Sequence, residues 1–185
     1  MQNETTSLPS ISELYDDVIT AQKQDVFTVL LNQEPNPNWI KTHPFISGYK
    51  YIPIERVEFL LKKIFKAYRI EVMKSGMLMN AVEVTVRVHY LHPITNEWNF
   101  HDGVGAQELQ TQKGTGPLKM DMSNVNSGAV TMALPIAKTI AIKDACDHFG
   151  KLFGSDLNRK TPTNYTIDQK LHSIDLDLIK SQIKL

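Results

Sequence analysis

This chain of 185 residues is poor in several features, and each shortage removes a class of function. It holds one cysteine, Cys146, so no internal disulfide can form and a stapled secreted scaffold is excluded. No run of about 18 apolar residues is available to span a bilayer, and the polar, acidic opening lacks the pattern of a secretory signal, so no membrane partner is expected and a reducing cytoplasmic setting is. There is no GxxxxGK[ST] phosphate loop, and the glycines of GVGA and KGTG do not precede a helix as a dinucleotide fingerprint requires. His89 and His92 stand three apart at the end of an alternating segment and project to opposite sides, while His43, His101 and His172 are scattered. No metal or other cofactor is expected.

Net charge is also lacking: twenty basic residues balance twenty acidic ones. The distribution, however, is uneven. Residues 1–40 carry Lys23 against six acids, a net of −5, and residues 41–80 carry eight cations against three acids, a net of +5. A basic patch can therefore exist on a neutral chain. The same split suggests a head-to-tail contact between subunits, which charge reversal at Asp16 and Asp17 would disrupt.

What is present reads as an α+β domain. After a loose start over residues 1–10, Ile11 to Leu31 has helical character and ends before Pro35 and Pro37. In YKYIPIERVEFLLKKIFKAY, the residues Val57, Leu60, Leu61, Ile64, Phe65 and Tyr68 make one apolar helical face, with Arg56, Lys62, Lys63 and Lys66 around the rest. The period then becomes two. RIEVMK, a turn at Ser75-Gly76, NAVEVTVRVHY with Val82, Val84, Val86 and Val88 on one face, the turn HPITNE and WNFHDGVGA predict a three-strand antiparallel meander whose last strand is loosened at its end by Gly103 and Gly105. Residues 106–128 read as a long polar loop, Ala129 to Phe153 as a helix that Pro135 kinks or opens, and residues 161–185 as a peripheral C-terminal helical extension. Ala133, Ala137, Ala141 and Ala145 form a smooth ridge that lets this helix lie close on a sheet.

Cys146 stands among Asp144, Asp147 and His148, which invites a nucleophilic reading. On a helix, however, Cys146 and His148 point about 160° apart and cannot share a proton. Asp144 and His148, four apart, can pair, and Cys146 is expected to be a buried small apolar side chain.

Three segments, in order, resemble the Rad-fifty-two/Sak-type single-strand annealing proteins, phage relatives included. YKYIPIERVEFLLKKIF is similar to their aromatic-Ile pair before an Arg-Val and an apolar helix closing on Phe. VTVRVHY, a turn and HDGVGA are similar to their VRV, hairpin and D-x-G-x-G strands. AKTIAIKDACDHFGKLFGSDL is similar to their helix with an Ala-Lys start, a central Asp and a closing Phe-Gly and Leu. The likeness covers about Leu30 to Lys160.

The resemblance implies a β-β-β-α core in a domain over residues 11–160, assembly into a homo-oligomeric ring or filament, and a basic groove holding single-stranded DNA, or RNA, with its bases open for pairing. It implies ATP-independent annealing of complementary strands in recombination and repair rather than enzymatic bond breaking. A single-strand binding protein or an exonuclease would be its partner, in the cytoplasm of a bacterial host if the chain is phage-encoded and less plausibly in a nucleus. By position it carries over Arg56, Lys138 and Lys151, and Lys113 from the polar loop. Asp147 and His148 stand where the family often has two basic residues, and Lys143, one turn earlier, supplies the charge. Arg159, Lys160, Lys63 and Lys66 complete the expected DNA-binding set. Two other readings stand beside it: a metal-dependent nuclease around Asp102, Glu83 and His101, and an oligomeric protein-binding scaffold.

Overall fold

Alternating valines set the centre of the fold. Val82, Val84, Val86 and Val88 are all buried on one face of β4 (Ala81–Leu91), and each is worth about 1.5–3 kcal/mol of apolar burial. The computed structural model, which describes residues 17–44, 46–115 and 121–173, places β4 between β3 (Tyr68–Leu78) and β5 (Trp98–Glu108) in one antiparallel sheet. Helix α3 (Ala129–Asp147) covers the inner face of β4 and β5. The protein is thus an α+β meander packed on a long helix. Helix α1 (Val18–Leu31) precedes it and the short α4 (Gln169–His172) follows. A two-residue hairpin, β1 (Lys41–Thr42) with β2 (Lys50–Tyr51), leads into α2 (Ile54–Ile64).

The alanine ridge and the strand glycines explain each other. Ala137, Ala141 and Ala145 are fully buried, and beneath them lie Gly103, paired with Val86, and Gly105, paired with Val84. A Cβ on Gly103 would collide with the Ala141 carbonyl and the Ala145 nitrogen; on Gly105 it would strike the Ala137 carbonyl. These glycines stand mid-strand, where the helix backbone needs the space. They do not loosen the strand's end, as the sequence suggested.

Other boundaries also differ from expectation. β3 runs straight through Ser75 and Gly76, and the chain reverses at Met79-Asn80, with Met79 at φ 55°. A bulge between Val72 and Lys74 leaves Met73 unpaired. α3 tolerates Pro135 inside it and ends at Asp147, and a separate 3₁₀ turn covers Lys151–Phe153. Much of the expected polar loop is organised: Thr111 bridges Val125, the Gln112 N–H donates to the Asn124 carbonyl at 2.8 Å, and the Asn126 N–H donates to that of Gln110 at 2.9 Å. α1 begins where Asp17 caps it, accepting from the Ile19 N–H at 3.0 Å and from the Thr20 hydroxyl at 2.6 Å. The expected helical residues before Asp17 and after Ser173, Asp16 included, lie outside the described residues. Among those described, no helix is long and apolar enough to cross a membrane.

An aromatic cluster joins the two layers. Phe149 meets Phe65 at 4.6 Å, Tyr90 at 4.8 Å and Phe153 at 4.9 Å between ring centroids.

Candidate nucleic-acid interface

The short β1–β2 hairpin and the first turn of α2 bring cations and aromatic rings together beside α3. Trp39 ends a 3₁₀ turn that Asn36 caps through the Asn38 N–H at 2.9 Å. Over its ring lies the Arg56 guanidinium, 5.5 Å from the centroid. Tyr51 projects from β2 toward α3, where the Lys143 ammonium stands 4.8 Å from its ring centre. Two cation–aromatic pairs therefore form around the hairpin, and Glu55, next to Arg56 on α2, is near enough to act on Lys143.

Segment 155–160 is tied to the hairpin through Asn158. The Lys50 N–H donates to Asn158 Oδ1 and the Asn158 amide donates to the Lys50 carbonyl, both at 2.8 Å. This pair of hydrogen bonds fixes Asn158, and with it the start of Arg159-Lys160, against the backbone of β2. Arg159 is exposed and reaches Asp156 at 3.4 Å. A polar recess of about 270 Å³ continues past it, lined by Asp147, His148, Ser155, Asp156, Arg159 and Tyr165, among others.

Acids at this site are largely occupied or neutralised. Asp144 accepts from the Val104 N–H at 2.9 Å and so ties α3 to β5; it is not engaged with His148 as the spacing suggested. Asp156 is shared by Lys151 and Arg159. Partial burial of the carboxyl, and then the neighbouring Asp144, push Asp147 up to about 6, although the residue as a whole is exposed; Lys143, His148 and Arg159 oppose the rise. The Lys143 ammonium is half-buried, which lowers its pKa against the pull of Asp147 and Glu55.

The nine predicted DNA-binding residues do not form one surface. Arg56 and Lys143 stand in the two cation–aromatic pairs, and Arg159 and Lys160 follow Asn158, which is held against β2. Lys138 is exposed on α3, but about 140° around the helix from Lys143. Lys113 is exposed in the organised loop. Lys63 lies over the Phe59 ring at 5.7 Å and Lys66 bonds Asn96 at 2.8 Å, both toward the far end of α2. Lys151 differs from the expectation of an accessible cation: its side chain is 5% exposed and its ammonium reaches Glu34 at 3.3 Å and Asp156 at 3.7 Å, so its charge is taken up by the protein's own carboxylates. Sequence reasoning missed Trp39, Lys50 and Tyr51, although the run Tyr49-Lys50-Tyr51 carried the signal of a cation between rings.

The nuclease constellation does not assemble. Arg87 holds Asp102 through two hydrogen bonds of 2.6 and 2.7 Å, and Lys74 holds Glu83 at 2.7 Å. His101 faces the opposite way, among Tyr90, Phe149 and His148, and burial lowers its pKa. Among the described residues, no three His, Cys, Asp or Glu side chains are placed to hold one metal ion. Cys146 is fully buried, and burial raises its thiol well above the ordinary range; His148 turns instead toward His101, with 5.3 Å between rings.

No protein-family model matches the chain, and no curated protein matches it either.

Proposed function

We propose that the protein binds single-stranded nucleic acid in the crevice between α2, the β1–β2 hairpin and α3, and that it anneals complementary strands without ATP, working as a homo-oligomeric ring or filament in recombination or repair. One observation carries the reading: two cation–aromatic pairs, Arg56 over Trp39 and Lys143 over Tyr51, form around the hairpin, and Asn158 holds the start of the Arg159-Lys160 segment against Lys50. Sequence-independent binding of a single strand needs this combination, cations for the phosphates and π-faces for the bases. The colinear likeness to the annealing family points the same way.

The test is a fluorescence titration of a labelled single-stranded oligonucleotide at several salt concentrations, with mass by light scattering and a complementary-strand annealing assay. Binding should weaken steeply with salt. Arg56→Ala and Lys143→Ala should each lower affinity and reduce the salt slope by about 0.7. Unchanged affinity in both variants would remove the crevice from the proposal.

A second reading, a protein-binding scaffold, draws on the outer face of the sheet. There Trp98, Phe100 and Val104 are 57%, 51% and 64% exposed. Binding that is indifferent to DNA and salt, in a protein of large mass, would favour it.

A further inference from the structure

Helix α1 turns two faces to its surroundings. Ala21 and Asp25 are buried, whereas Ile19, Lys23, Val26 and Leu30 line an open groove against α2 at spacings of four, three and four. Phe59 and Lys63, one turn apart, form the facing wall. The groove has a volume of about 820 Å³ and follows α1 from Ile19 to Leu30, about 17 Å at 1.5 Å per residue. That is the length of a helical segment rather than of a compact metabolite. Val26, Leu30 and Phe59 are 49%, 40% and 43% exposed, so the groove presents a contiguous apolar surface of its own, apart from that on the outer face of the sheet.

Its charge is one-sided. Among the described lining residues the lysines are Lys23 on one wall and Lys63 on the other, with His172 at one end, and no carboxylate is present. The acid of α1, Asp25, is buried under α4, where it accepts from the Asp168 N–H at 2.9 Å and lies 3.0 Å from His172 Nε2.

We propose that this groove docks an acidic amphipathic helix of a partner protein. Apolar side chains at helical spacing fill the space between Val26, Leu30 and Phe59, and flanking Asp or Glu residues meet Lys23 and Lys63. Recognition of this kind takes its affinity from the apolar anchors and its selectivity from the paired lysines.

The experiment uses the full chain and fluorescence anisotropy of a labelled synthetic peptide of about 14 residues, with Leu and Ile at helical spacing and Glu elsewhere. Its control peptide has Lys in place of every Glu. The acidic peptide should bind saturably and more weakly as salt rises. Val26→Asp and Lys23→Glu should each weaken it by about tenfold, and Val26→Asp should keep its thermal midpoint and its affinity for single-stranded DNA. Equal binding of the basic peptide, or indifference to Val26→Asp, would overturn the proposal. Displacement of the probe by a peptide with the chain's own sequence 174–185, or a fall in oligomeric mass in Val26→Asp, would also overturn it, because either gives the groove to this chain.

Discussion

Gly103 of β5 lies so close under Ala145 of α3 that a methyl group on it would overlap both the nitrogen and the Cβ of that alanine. The obstruction is backbone, which cannot swing aside as a side chain can. Gly103→Ala and Gly105→Ala are each expected to cost about 1–3 kcal/mol, lowering the thermal midpoint by about 2–4 °C per kcal/mol. Gly76→Ala is the control: the nearest atom there is a Glu83 side-chain oxygen at 3.6 Å, and its stability in urea should be unchanged or higher.

Lys143 and Lys151 both come from the C-terminal half of the chain and part company in their surroundings. Lys143→Met is expected to leave stability nearly intact and to weaken single-strand binding. Lys151→Met should do the reverse, costing about 1–3 kcal/mol because Asp156 loses its buried cation and keeps only Arg159 and the Thr163 N–H among its partners. Denaturant melts and DNA titrations on the two variants give opposite patterns if the assignment is correct; matching patterns would refute it.

The raised Asp147 carboxyl has a definite sign. Between about pH 4 and the folded pKa of about 6, the folded state holds a proton that the unfolded chain has released. Its contribution therefore falls as pH rises through that window and remains a penalty above it. Asp147→Asn should stabilise the protein at pH 7.5 by under about 1 kcal/mol, given its solvent contact, and do nothing at pH 4. The same variant should tighten single-strand binding at pH 7.5 and flatten its pH dependence, because it removes a negative charge beside Lys143 while leaving Glu55, Asp144, His148 and Arg159 in place.

Cys146 should be silent toward thiol reagents in the folded protein. Its thiol is buried and its ionisation is suppressed. Labelling is expected to proceed at the rate of opening, independent of reagent concentration once the reagent is in excess. Rapid stoichiometric labelling of the native protein would show an access route to the sulfur.

Periodicity made the frame legible. Four valines at spacing two and four alanines at spacing four identified the central strand and the helix that rests on it, because both patterns are local. The β3–β4 turn was not legible, since Ser75-Gly76 carries stronger turn chemistry than Met79-Asn80; the pairing of Val82 through Val88 in register overrides it and holds Met79 at a positive φ. The role of Gly103 and Gly105 was hidden for the same reason: it exists only against α3. Lys151 looked like the other lysines because Glu34, its partner, is 117 positions away. Tyr51 and Trp39 join Lys143 and Arg56 only once the hairpin folds back on α3.

Asn158 grips the backbone of Lys50 from 108 positions away. The cations of the crevice come from separate stretches of a chain whose charges cancel, and this grip is part of what gathers them. Unfolding therefore disperses these cations along with the shape. A polyanion that recognises the crevice has no comparable target on the unfolded chain, so ligand concentration and thermal stability become two readings of one equilibrium, with the melting point rising as the logarithm of ligand in excess.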